Sequence, residues 1–106
     1  MEKYEIEITK EALRDMEEIY NYIANELLSP DNAIYQYNRI AESILQLDIF
    51  PEKFRILESN IEKQKKIRRM PVDNYSVFYV IKENRVIVIS VLYSASNIQA
   101  KLKTNL

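Results

Sequence analysis

The 106-residue chain contains no cysteine, no histidine and no glycine. Without cysteine there are no disulfides, thiolate metal sites or cysteine nucleophiles. Without histidine, Ser-His-Asp machinery and the commonest zinc ligand are excluded. Without glycine, the phosphate-cradling loops of the Rossmann and Walker types are excluded as well. Long hydrophobic runs are also missing. The longest uncharged stretch, Val86 to Ala100, is broken by Ser90, Ser94, Ser96 and Asn97 and is too short and polar to span a bilayer. The first residues, MEKYEIEITKEALRD, are charged throughout and carry no signal-peptide core. A cytoplasmic protein is expected, with no membrane, metal or cofactor.

What is present is ordinary globular composition. At 47% hydrophobic and 29% charged residues, the chain has enough apolar material for one modest core, so residues 1–106 are expected to form a single domain. The net charge of -1 hides an asymmetry. Residues 1–53 hold 5 basic and 12 acidic side chains, whereas residues 54–106 hold 10 basic and 4 acidic. Much of the positive charge sits in Lys63-Gln64-Lys65-Lys66-Ile67-Arg68-Arg69, a candidate surface for an anionic partner.

Tyr4-Glu5-Ile6-Glu7-Ile8 alternates apolar and acidic residues, the period of a half-buried strand. Thr9 then stands where a helix N-cap belongs, with Glu11 in the first turn. Leu13, Met16, Tyr20, Ile23 and Leu27 predict an amphipathic helix of about five turns, with Asp15 and the neighbouring acids mainly on other faces. Ser29-Pro30-Asp31 predicts a second helix start, with Ser29 as cap. Its buried stripe is expected at Ala33, Tyr37, Ile40, Ile44 and Leu47, widened by Ile34, Ala41 and Leu45, and Pro51 is expected to end it. The short connection implies a helical hairpin.

Phe54 to Leu57 reads as a short extended segment and Ser59 to Lys65 as a polar loop. Three strands follow: Ile67–Val72, whose Pro71 suits an edge position or a strand end, then Tyr75–Ile81 and Val86–Tyr93, apolar on both faces and therefore interior. The turn Lys82-Glu83-Asn84-Arg85 is expected to use Asn84 as its residue of positive φ. Ile98 to Leu102 could add a helical turn or a docking tail. The order β-α-α-β-β-β predicts an α+β domain, with the hairpin on one face of an antiparallel sheet.

That order, with IRRMPVDNYSVFYVIKENRVIVISVLYSASN, resembles the RelE/ParE superfamily of toxins from bacterial type II toxin–antitoxin (plasmid stabilisation) modules. Arg68, Val72, Tyr75, Tyr79, Val91, Leu92 and Tyr93 stand where its pattern expects them. The resemblance implies neutralisation by a cognate antitoxin. It also implies a toxic action of one of two kinds: ribosome-dependent cleavage of mRNA, or poisoning of DNA gyrase. Metal-free RNA cleavage needs a base for the 2′-hydroxyl, an acid for the departing oxygen and cations around the phosphate. Three positions where the ribonuclease members carry such groups hold Ser76, Ala95 or Ser96, and Tyr93 here. An unperturbed phenol, with a pKa of about 10, is a poor base near neutrality. Gyrase inhibition is therefore the leading expectation, with a ribonuclease and a non-toxic antitoxin binder as alternatives.

If the chain cleaves RNA, Arg68, Arg69 and Tyr93 are the candidate catalytic groups. Arg68 is preferred because it matches the family position. Lys65, Lys66, Ser76, Ser96 and Asn97 are candidates for substrate or partner contact. Bland alternatives stand beside each: lysines solvating a loop, serines in turn chemistry, and adjacent arginines pointing to opposite faces of an edge strand. Tyr22 and Tyr35 are expected on a partner surface, and Tyr20, Tyr37 and Tyr79 in the core. Glu17 and Glu18 have no convergent partner, which argues against a glycosidase or metal reading.

Overall fold

A computed structural model describes residues 3–57, 65–96 and Leu102. Strand β1 (Glu5–Ile8) leads into helix α1 (Lys10–Asn21), which runs on into a π-helical turn, Tyr22–Glu26. Helix α2 (Pro30–Leu45) follows, and then strands β2 (Arg68–Val72), β3 (Tyr75–Lys82) and β4 (Arg85–Tyr93). The sheet order is β1-β4-β3-β2. The last three strands form the expected antiparallel meander, but β1 pairs parallel to β4, so the sheet is mixed. The α+β architecture holds. Parallel pairing follows from the route, because two helices carry the chain away from β1 before it returns. Among the described residues, no helix is long and apolar enough to cross a membrane.

Thr9 caps α1 as expected, its hydroxyl accepting from the Ala12 N–H at 3.1 Å. The buried stripe differs from the expected one. Ala12, Met16 and Ile19 face the sheet and Ile23 is buried, while Leu13 and Leu27 lie exposed. The π-turn inserts extra chain into the last turns and rotates Leu27 off the stripe. Helix α2 buries Ala33, Ile40 and Ile44 with Tyr37 partly covered, but Ile34 and Leu45 are exposed. Ser29 occupies the N-cap position without capping, since its hydroxyl instead accepts from the Asn32 amide at 2.7 Å. Pro51 does not end α2. The helix stops at Leu45, a 3₁₀ turn spans Gln46–Asp48, and Pro51 opens a second such turn, Pro51–Lys53.

The sheet has a core on each face. Met70, Val72, Val77, Tyr79, Val86 and Val88 meet the helices on the front face. Ile67, Phe78 and Leu92 form a smaller back-face cluster with Leu102. The rest of the expected C-terminal turn or tail lies outside the described residues, as does the loop 58–64. Ile56 makes an isolated antiparallel bridge to Arg68, so the Phe54–Leu57 segment is partly extended and covers the open side of β2. β2 is the edge strand anticipated from Pro71, which is exposed.

With no glycine available, five other residues take positive φ among those described: Leu28, Phe50, Lys66, Asp73 and Glu83. In the β3–β4 turn this is Glu83, not Asn84. Asp73 does the same in the β2–β3 turn. Each is the first central residue of a two-residue hairpin connection, the position that takes positive φ in a II′ turn.

Candidate functional site

The β3–β4 pairing sets the geometry at the end of the sheet. Its register shifts between Phe78 and Tyr79, where Ser90 pairs with Phe78 and Val88 with Tyr79, leaving Ile89 as the extra residue of a β-bulge. Asp15 of α1 answers the bulge. Its Oδ2 accepts from the Ser90 hydroxyl at 2.8 Å and from the Val91 N–H at 3.0 Å. Asp15 therefore faces the sheet, contrary to its expected place on another face of the helix. Beyond the bulge, Leu92 points to the back face and Tyr93 to the front, where it packs on Tyr75 with ring centroids 5.9 Å apart and 66° between planes.

The three candidate catalytic groups are not brought together. Arg68 pairs with Tyr79 on β3, whereas Tyr93 pairs with Tyr75. That four-residue offset is about 13 Å along a strand. The Arg68 guanidinium is instead spent on the backbone, its Nη1 donating to the carbonyls of Phe54 at 2.7 Å and Glu52 at 3.1 Å. Beside it the buried Tyr79 hydroxyl donates to the Pro51 carbonyl at 2.6 Å, so this pair of side chains holds the turn after α2 onto the sheet.

Arg69 points to the opposite face, as neighbouring strand residues must. Its Nε donates to the Ser76 hydroxyl at 2.8 Å, and Ser76 and Ser94 share a hydrogen bond of 2.8 Å. Ser76 is fully buried, so a polar row of arginine and two hydroxyls crosses three strands on the back face. Ser96 turns inward, its hydroxyl donating to the Tyr93 carbonyl at 2.6 Å, which is turn chemistry. Lys65 and Lys66 are exposed just before β2, and Asn97 lies outside the described residues. Close to Arg69, a depression of about 470 Å³ lined by Lys53, Phe54, Arg55 and Pro71 extends the basic character along the β2 edge.

The front face carries a second concave surface. A groove of about 550 Å³ runs between α1, its π-turn and the ends of β3 and β4, lined by Asp15, Glu18, Tyr22, Leu27, Tyr75 and Tyr93 among others. Tyr22 and Tyr93 are 54% and 53% exposed, although both are large aromatic residues. Burial holds the Tyr75 phenol above its usual range, and the nearby Tyr93 and Tyr22 phenols push the same way. Its place off the apolar stripe pointed to Tyr22 as a surface residue, but its convergence with Tyr75 and Tyr93 comes from the π-turn and the bulge. Spacing gives no sign of the π-turn. Tyr35 is exposed as expected. Among the described residues, no group of carboxylates is placed to hold a metal.

Comparison with known proteins gives the chain its relatives. Residues 6–98 match the family model for the ParE toxin of the type II toxin–antitoxin system parDE. Among solved structures, one described as the chromosomal ParDE TA system from P. aeruginosa superposes with a TM-score of 0.73. That match has 17% sequence identity and covers 86% of this chain and 96% of the other, a likeness of fold. No curated protein matches significantly. With the family pattern spanning almost the whole described fold, the chain belongs to the ParE toxin family of type II toxin–antitoxin systems.

Proposed function

We propose that this toxin acts by binding and inhibiting DNA gyrase in the cytoplasm and is held inactive by a cognate antitoxin. One observation carries the choice of binding over cleavage. The three candidate catalytic groups of a metal-free ribonuclease, Arg68, Arg69 and Tyr93, are each committed elsewhere or separated from the others. Arg68 is spent on two carbonyls, Arg69 on Ser76, and Tyr93 stacks on Tyr75 across the sheet from Arg69. General acid–base catalysis needs its groups within hydrogen-bond reach of one reacting phosphate. Inhibition by binding needs only complementary surface, and the chain offers exposed aromatic surface at the Tyr93 end of the sheet and basic surface along the β2 edge.

The test is a pair of assays on purified protein. Gyrase-driven supercoiling of relaxed plasmid should be inhibited, while mRNA on translating ribosomes should keep its 5′ ends. New 5′ ends within translated codons, with supercoiling unaffected, would overturn the proposal in favour of the ribonuclease alternative. Intact RNA together with normal supercoiling would leave a protein that binds antitoxin without this toxicity.

A further inference from the structure

We infer that the front-face groove is a receptor for a cationic side chain, an arginine or lysine set between apolar residues on a segment of a partner protein. Three features converge there. Tyr75 and Tyr93 form an edge-to-face pair, and Tyr22 stands across the groove from them. An edge-to-face pair leaves a ring face available, and the negative face of a phenol ring attracts a cation. Asp15 and Glu18 supply negative charge along the same wall. Among the described residues no lysine or arginine lines the groove, so the charge those residues bring to it is of one sign.

Neither carboxylate is neutralised from within. Among the described residues the ion pairs are Arg39 with Asp73 and Arg85 with Glu7, both away from the groove. Arg14 lies one turn before Glu18 on α1 but is not within ion-pair distance of it. Both hydrogen bonds to Asp15 fall on Oδ2, so Oδ1 keeps its acceptor capacity. Apart from Asn74, the remaining wall is apolar, formed by Ile19, Val91, Leu92 and the half-exposed Leu27. A bare ammonium ion would leave that surface wet, and a wholly apolar peptide would strand Glu18 beside it without a counter-charge. A side chain with an apolar stem and a cationic head satisfies both. Phosphate-rich ligands are opposed by the two carboxylates, which separates this groove from the basic β2 edge on the other side of the sheet. The inference does not depend on which cellular target the toxin inhibits.

The experiment is calorimetric titration with a short acetylated, amidated peptide alternating leucine and arginine. A matched peptide carries neutral, near-isosteric citrulline in place of each arginine. The arginine peptide should bind at least about tenfold more tightly than the citrulline one, the combined effect of one cation–π contact and one screened ion pair. Raising the salt should narrow that gap. Glu18→Gln and Tyr93→Leu should each weaken the arginine peptide about threefold to tenfold and leave the citrulline peptide nearly unchanged. Both sites are exposed, so the melting temperature should hold, and Leu13→Ala, outside the groove, should change nothing. Equal affinity for the two peptides would overturn the inference, as would indifference to both groove substitutions. Concentration-dependent dimers abolished by Tyr93→Leu would also overturn it, assigning the groove to a second copy of the chain.

Discussion

Leu28 is 82% exposed and holds a φ of 53°, a conformation that a side chain with a Cβ reaches only at a cost of about 1 kcal/mol or more. A glycine or asparagine would normally sit there, and in a chain without glycine the strain falls on whichever residue the hairpin tip holds. Leu28→Asn should therefore raise the unfolding free energy by about 1 kcal/mol, read as a higher urea midpoint at unchanged slope. The absence of glycine was plain from composition, and so was the need for substitutes. Which residues would serve was not, because the backbone route around each turn decides that, and Glu83 rather than Asn84 took the duty. Tyr79 gives a second test. Burial above all pushes its phenol up to about 12, with Arg68 opposing and Glu52 adding to the rise. An unfolded tyrosine ionises near a pKa of about 10, so the folded protein resists losing that proton. The stability this represents is complete below pH ~10 and is lost as pH rises from there toward 12, and Tyr75 shifts in the same sense. Chemical denaturation across this range should show wild-type stability falling. Tyr79→Phe should start about 1–2 kcal/mol lower, its Pro51 carbonyl deprived of a donor, and fall less steeply.

At the scale of elements, the order of strands and helices was legible because each segment's period matches its structure. Thr9 marked the start of α1 and Pro71 the edge position of β2, whereas Pro51 did not mark the end of α2. What could not be read were the two irregularities that shape the groove, the π-turn ending α1 and the bulge in β4. Both arise from matching a helix to a sheet rather than from any local pattern. One trace of the bulge was nevertheless present. Asp15 follows Ala12 by three residues and precedes Ile19 by four, which puts a carboxylate on the buried stripe of α1. A charge placed there needs donors, and the bulged strand supplies them. Asp15→Ala should accordingly cost about 2–3 kcal/mol, because it strands the Val91 N–H as well as the Ser90 hydroxyl. Ser90→Ala keeps the Val91 bond and should cost about 1 kcal/mol. Denaturation midpoints of the two variants would separate the contributions, and equal losses would show that the backbone bond to Val91 is not what Asp15 supplies.

For the whole molecule, the sheet divides the two kinds of surface that the charge asymmetry foreshadowed. The acids of α1 border the front groove, while Arg69 lies on the back and Lys53 and Arg55 line the β2 edge. Sequence reasoning ranked Arg68 first for chemistry because it matches a family position. That ranking missed the carbonyls of Glu52 and Phe54, contributed by a turn 14 to 16 residues earlier in the chain. No spacing rule connects such distant partners; only the closed fold does. The assignment of Arg68 to architecture has a consequence that catalysis would not share. Arg68→Ala removes a charged donor from two carbonyls and should lower stability by about 2–3 kcal/mol. The fraction that remains folded should inhibit gyrase with wild-type potency per folded molecule. A catalytic arginine would behave in the opposite way, leaving the melting temperature almost unchanged while abolishing activity. Measuring denaturation and supercoiling inhibition on the same preparation, normalised to folded protein by circular dichroism, distinguishes the two. Retained potency with a lowered midpoint supports a toxin that works through its surface, and lost potency at an unchanged midpoint returns Arg68 to the site.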